Sequence, residues 1–305
     1  MFKNLIVYRI GPSWAANSAE LEAGLDKMIF MACGATQPVS AGWAPPRGVK
    51  HAPLVESIGG QWLMRLVIEQ RLLPSAVVKR HVDERAAQIE QATGRKPGKK
   101  QQKEIKEEVV LGLLPQAFTK QAAIQVWLNP KDRLLMIDAT SPAKADEVVT
   151  HLVRALDGIV LTPLHTAQSP AAAMSEWLTT GEAPSGFSVD RECELKSPDE
   201  TKSAVRYARH ALDIDEVRQH IAGGKVPTQL ALTWQGRVSL LLTEAMQVKK
   251  IAFLEGVFEG GSKSLKEDTF DADAAIATGE LAKLIPDLIE ALGGEHQPGV
   301  PALAA

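Results

Sequence analysis

Two prolines, Pro74 and Pro115, bracket a stretch whose hydrophobic pattern differs from everything around it. From Ser75 to Gln91, Val78, Val82, Ala86 and Ile89 recur at helical spacing between charged residues, which makes a narrow apolar stripe. The run Thr93-Gly94-Arg95-Lys96-Pro97-Gly98 then reads as a turn, with Gly94 placed to cap one helix and Pro97 to forbid its continuation. A second helix follows over Lys99 to Leu114, with Ile105, Val109, Gly112 and Leu113 on its inner face, and Pro115 ends it. Two helices with narrow seams and a short connection bury little except each other. The expectation is an antiparallel helical hairpin projecting from a larger body.

The body reads differently. Asn4 to Ile10 is a strand by its branched and aromatic residues, and Ser18 to Met31 a helix with Leu21, Leu25 and Met28 on one face. Trp43 to Gly48 is a proline-stiffened loop, and Gln61 to Glu69 a second strand. Beyond the hairpin, Ala122 to Leu128 and Arg133 to Ala139 flank an Asn129-Pro130-Lys131-Asp132 turn as a β-hairpin. Ser141-Pro142 opens a helix that faces inward through Ala145, Val148, Val149, Leu152 and Leu156, and Ser169-Pro170 repeats that start signal. Glu182 to Glu200 reads as an acidic, loop-rich stretch. Thr228 to Trp234 and Arg237 to Thr243 make a tight hairpin around Gln235-Gly236, and Val248 to Leu254 adds a strand. The last helix is expected from about Asp271 to Leu292, kinked at Pro286 and stopped by Gly293-Gly294. Hairpins and helices thus mix without a βαβα rhythm. The fold class read from this is α+β, antiparallel hairpins and sheets with packed helices. A length of 305 residues suggests about two domains beside the arm. The division expected is residues 1–74 with 115–168 as a central α+β domain, 75–114 as the arm, and 169–305 as a base.

Several function classes are disfavoured. The net charge of −3 gives no whole-chain basic signature for nucleic acid. Cys33 and Cys193, the two cysteines, form no CxxC, which fits two buried thiols in a reducing compartment better than a disulfide scaffold or zinc site. Arg9 interrupts the short apolar run near the N-terminus, and the uncharged stretch Met28 to Pro46 carries three prolines, so neither a secretory leader nor a membrane span is expected. The compartment expected is the cytoplasm. None of the seven histidines sits in a metal-ligand spacing, and no GxSxG elbow or phosphate loop is present. Gly223-Gly224 and Gly260-Gly261 read as punctuation. Asp199, Glu200 and Lys202 superficially spell a nuclease motif, but they are contiguous in one acidic stretch rather than on neighbouring strands. Asp271 and Asp273 suit a helix start by the dipole alone. No catalytic residue, metal ligand or cofactor is assigned.

Charge distribution is more informative. Between Lys79 and Lys106 nine basic residues face four acidic ones, whereas from Glu255 onward ten carboxylates face three lysines. Arg95, Lys96, Lys99, Lys100 and Lys103 concentrate at the turn and the descending helix, and Lys202, Arg206 and Arg209 form a second basic group. A charge run can simply be solvated; the alternative is a phosphate-binding arm, because clustered cations release counterions from a polyanion.

The chain also resembles the RdgC family of bacterial recombination-associated proteins, essentially end to end. The resemblance is carried by Phe2-Lys3-Asn4-Leu5, Val7-Tyr8-Arg9, Gly42-Trp43-Ala44-Pro45-Pro46, Leu73-Pro74-Ser75 and Leu113-Leu114-Pro115-Gln116-Ala117-Phe118. It continues through Thr162-Pro163-Leu164, Glu176-Trp177, Ala222-Gly223-Gly224-Lys225-Val226 and Leu230-Ala231-Leu232-Thr233-Trp234. It is most specific over Phe270-Asp271-Ala272-Asp273, Thr278-Gly279-Glu280-Leu281 and Leu288 to Glu295. It implies a non-enzymatic, cofactor-free, nucleoid-associated protein that binds DNA with little sequence preference, double-stranded first and single-stranded as a second option. It further implies a ring-shaped homodimer around duplex DNA that restrains RecA-promoted recombination. The hairpin would meet its mate near Phe118, whose alternative role is an ordinary core aromatic. The turn at Arg95 and the stretch Arg206 to Ala211 depart from the family pattern, and Gln297 to Ala305 is an addition to it. Two other readings stay open: a metal-dependent nuclease acting at Asp199, Glu200 and Lys202, and an adaptor whose basic hairpin docks on an acidic protein.

Overall fold

The computed structural model describes residues 2–15, 17–257 and 266–296. Two antiparallel sheets and seven helices make an α+β fold among these residues. The first sheet gathers β1 (Ile6–Ile10), β2 (Val39–Ala44), β3 (Glu56–Ile58), β4 (Gln61–Arg71), β5 (Thr119–Asn129), β6 (Leu134–Ile137) and β7 (Leu161–Pro163). Its order is β2-β4-β5-β6-β1-β7, with β3 also paired to β4. Its spine is the long β4–β5 pair, in register from Trp62↔Leu128 to Arg71↔Thr119.

The centre of this sheet is buried on both faces, which is why Leu134 to Ile137 reads as a continuous apolar run. On one side Tyr8, Met64, Leu66, Val126, Leu135 and Ile137 pack with Leu21 and Leu25 of α1 (Ser18–Asp26) and Val148 and Leu152 of α4 (Pro142–Ala155). On the other, Phe2, Leu5, Val7, Trp127 and Met136 join a core shared with the second sheet. That sheet contains β8 (Phe187–Lys196), β9 (Ala204–Ala208), β10 (Val226–Trp234), β11 (Val238–Thr243) and β12 (Val248–Phe253), ordered β12-β11-β10-β8-β9. The shared core also takes in Met174 and Trp177 of α5 (Pro170–Thr180), Val217 of α6 (Asp215–Ala222) and Leu281, Leu284 and Leu288 of α7 (Lys266–Ala291). Backbone bonds stitch the two sheets directly: Leu5 and Val248 exchange both N–H···O contacts, at 2.7 and 3.0 Å.

The helical hairpin stands as the spacing predicts, α2 over Ser75–Thr93 and α3 over Lys99–Leu113. Gly94 takes φ +70° and its N–H donates to Glu90 O at 2.8 Å, closing α2 in the left-handed conformation glycine adopts freely. Only Val78 and Ile105 are buried along the two helices. A turn is also formed at Gln235-Gly236, both residues having positive φ, but Trp234 pairs with Val238, so Arg237 belongs to the connection rather than to the strand.

Other expectations need correction. Helix α1 stops at Asp26 rather than Met31, because the following chain pairs with β2 instead: Phe30 N–H donates to Trp43 O and Trp43 N–H to Met28 O, at 2.8 and 2.9 Å. The segment read as a proline-stiffened loop therefore begins as a strand. The stretch Glu182 to Glu200 contains β8, with Phe187, Cys193 and Leu195 buried. A register shift against β10 breaks the period-two pattern that would have revealed it. Cys193 is buried, but Cys33 is only partly so. Helix α7 starts at Lys266 rather than near Asp271; as expected it carries Pro286 inside it, with Ile285 and Leu288 buried on either side. Gly260-Gly261 and the stretch Gln297 to Ala305 lie outside the described residues.

Candidate nucleic-acid interface

The turn that caps α2 also sets out the first basic group. Arg95 and Lys96 follow the left-handed Gly94, and Lys99, Lys100 and Lys103 occupy the first turns of α3. All five side chains are exposed. Lys103 has a loose ion pair with Glu107 at 3.9 Å, and the other four have no side-chain partner among the described residues. Four uncompensated cations on a slender arm create a field that neighbouring carboxylates do not cancel.

The second group is placed on the β8–β9 hairpin. Lys202 sits in its connecting turn with φ +46°, Arg206 on β9, and Arg209 just beyond it with φ +55°. The three are not equivalent. Arg206 donates to the buried Glu194 on β8, which also accepts from Lys196 Nζ at 2.5 Å and from Thr228 Oγ1 at 3.0 Å. Burial alone would push the Glu194 carboxyl up, but these three donors outweigh it and hold the group below the ordinary glutamate value. Arg206 is thus paired with a carboxylate that it shares with Lys196, while Arg209 has no side-chain ion pair or hydrogen bond among the described residues. No hydrogen bond, ion pair or shared cavity among the described residues joins this group to the one on the arm.

The superficial nuclease motif resolves into a turn. Asp199 Oδ1 accepts from the backbone N–H and the hydroxyl of Thr201, at 3.0 and 2.5 Å, and these hydroxyl and amide donors keep its carboxyl below the ordinary value. Asp271 pairs with Arg47 at 2.9 Å rather than with Asp273. Among the described residues no three His, Cys, Asp or Glu side chains are grouped so as to hold a metal ion. No described helix is long and apolar enough to cross a membrane.

Phe118 is 84% exposed, which excludes an ordinary core aromatic. It sits at the root of the arm, where its carbonyl accepts from Leu72 N–H at 2.8 Å. Exposed Leu72 and Leu111 belong to the same region, beside an apolar cavity of about 1160 Å³ that includes Pro38, Leu73, Val78, Val110 and Leu114. The residue that fixes this root escaped the sequence reading. Arg71 donates to Leu114 O, Ala117 O, Gly34 O and Cys33 O, between 2.9 and 3.4 Å, and so ties both ends of the hairpin exit to the sheet. Beside it, Glu69 accepts from Cys33 N–H and Gln121 Nε2, which hold its carboxyl low. Nothing in the spacing around Arg71 announces carbonyls supplied from Cys33 to Ala117.

Comparison with known proteins identifies what the chain as a whole is similar to. A family model described as "RdgC: Putative exonuclease, RdgC" matches residues 1–295. Relatives bearing the name "Recombination-associated protein RdgC" are similar over nearly their whole length. That of Dechloromonas aromatica (strain RCB) is 48% identical over 299 residues, covering 96% of this chain and 98% of the relative. That of Cupriavidus pinatubonensis is 45% identical over 298 residues, covering 97% and 99%. That of Bordetella pertussis is 43% identical over 298 residues, with the same coverage.

Proposed function

Since the chain belongs to the RdgC family, we propose that it is a non-enzymatic DNA-binding protein that closes as a homodimeric ring around duplex DNA and restrains RecA-promoted recombination. In this reading the chain works in three parts: residues 1–74 with 115–168 as the wall, 75–114 as the closing arm, and 169–305 as the base. A closed two-fold ring needs two separate self-complementary contacts. The exposed Phe118 with its apolar surroundings suits one of them. Duplex DNA is the preferred ligand, bound through its phosphates and therefore with little regard to sequence. The reading carries with it a place on the nucleoid in the cytoplasm.

The observation that carries it is the free basic tip: Arg95, Lys96, Lys99 and Lys100 are exposed and uncompensated in a chain whose net charge is −3. A salt titration on two duplexes of unrelated sequence tests it. Each phosphate neutralised contributes about −0.9 to the slope of log K against log salt. Arg95→Ala with Lys99→Ala is expected to flatten that slope by about 1.8 and to weaken both duplexes equally. Binding that ignores salt would point instead to an adaptor docking on a protein.

The family model's description favours a second reading, an exonuclease. Against it, the Asp199 carboxylate is occupied by Thr201 within a single turn. Prolonged incubation of DNA with the protein and Mg²⁺ decides between the two. Intact DNA is the expected result, and cleavage abolished by Asp199→Ala would replace the binding reading with the enzymatic one.

A further inference from the structure

Ala231 lies between Leu230 and Leu232, whose side chains fill the shared core, so it faces the opposite side of the second sheet. There, with Ser239 and Leu241, it floors a concavity of about 300 Å³ rimmed by Asp190, Arg191, Glu192, Arg209 and Lys250. Each carboxylate on that rim already has a partner. Glu192 accepts from Lys250 Nζ at 2.5 Å, and Asp190 from Thr233 Oγ1 at 2.8 Å. The two guanidiniums do not: Arg191 and Arg209 are exposed, with no side-chain hydrogen bond or ion pair among the described residues. Their backbones are nonetheless held together, since His210 N–H donates to Arg191 O at 3.1 Å.

Backbone conformation adds an independent observation. Arg209 and Lys250, on opposite sides of the concavity, take φ of +55° and +51°. Glycine meets such a requirement at least cost, and here two long cations stand in its place. Residues held in that region persist where the surroundings over-determine them, and such positions cluster at binding sites. Ala231 and Ser239 leave room beside Leu241 for a ligand atom to approach the sheet, and two forked guanidiniums match the two non-bridging oxygens of a phosphodiester.

We propose that this concavity seats a backbone phosphate of duplex DNA, gripped by Arg191 and Arg209, with Glu192 restraining Lys250 beside it. The proposal rests on the DNA-binding reading above and adds Arg191, Glu192 and Lys250 to its surface.

The test compares wild type, Arg191→Gln, Glu192→Gln and the arm variant Arg95→Ala/Lys99→Ala, all as full-length protein, in the duplex salt titration. Arg191→Gln is expected to reduce the slope by about 0.9, the share of one phosphate. Glu192→Gln releases Lys250 and is expected to tighten binding, a gain that a damaged fold cannot imitate. If Arg191→Gln keeps the full slope and affinity while the arm variant loses both, the concavity is not a phosphate seat, although the DNA-binding reading stands. If the wild-type protein fails to bind duplex at all, both fall. At equal ionic strength inorganic phosphate is expected to displace the duplex better than chloride, an advantage that Arg191→Gln should remove; displacement by both salts alike would mark a diffuse basic surface and overturn the proposal.

Discussion

At the scale of single residues, the close approach at Gly42 has the clearest cost. A Cβ there would lie 2.5 Å from Phe30 Cα and 2.6 Å from Phe30 N, both backbone atoms that cannot swing aside. Gly42→Ala is therefore expected to destabilise the fold by about 1–3 kcal/mol, the range for overpacking, read as a lower urea midpoint with unchanged slope. Ionisable residues make a second prediction. Glu280 is held below its ordinary value first by hydrogen bonds from Arg237, Glu69 first by the Cys33 amide, and Glu194 by donors that outweigh its burial. A carboxylate whose folded value is depressed stabilises the fold fully above its unfolded value, 4.5 for glutamate, and loses that contribution as the pH falls through the folded value. Stability should thus fall steeply below about pH 4.5. Because Arg237 is half exposed, Glu280→Gln should cost only about 1 kcal/mol near neutrality. Its urea midpoint should converge with that of wild type as the pH falls through the depressed folded value of Glu280.

At the scale of elements, legibility tracked how locally each one is specified. The arm was readable because Pro74, Gly94, Pro97 and Pro115 punctuate it and its seam repeats within a few turns; the Gln235-Gly236 turn was readable for the same reason. Strands β3 and β7 have three residues each, too few to show a period. Strand β8 hid behind its charge: Asp190, Glu192 and Glu194 look like a solvated loop until Thr233, Lys250 and Arg206 arrive from other strands. The basic residues of the arm and of the β9 region were legible by composition, but which of them is paired was not, since Glu194 reaches Arg206 only through sheet pairing. The arm also has its own energetics. With Val78 and Ile105 the only buried residues of α2 and α3, it is expected to open locally well before the sheets. Amide exchange over residues 75–113 should be faster than over β4 and β5. Arg71→Ala, which frees four carbonyls at the arm's root, should extend that fast exchange to residues 114–118 and cost about 1–3 kcal/mol.

At the scale of the whole molecule, the proposed ring makes association measurable. Light scattering at micromolar concentration is expected to give a homodimer. Phe118→Asp should weaken one contact without lowering thermal stability, because an exposed side chain contributes nothing to the monomer's core. Removing residues 77–111 should leave a folded body that still associates through its other contact; a monomer would show that the arm is the whole interface. The stitching of the two sheets has a consequence in time rather than in space. Leu5 finds Val248, Lys3 O accepts from Ile251 N–H, and Arg9 reaches Glu295 across 286 positions. Residues of β1 and just before it therefore complete their bonding only after the second sheet and α7 have been synthesised. Contacts so distant in sequence close slowly, and until they close the inner face of the first sheet is exposed to aggregation. Trp127 and Met136 wait on that face for core residues that are synthesised long after them.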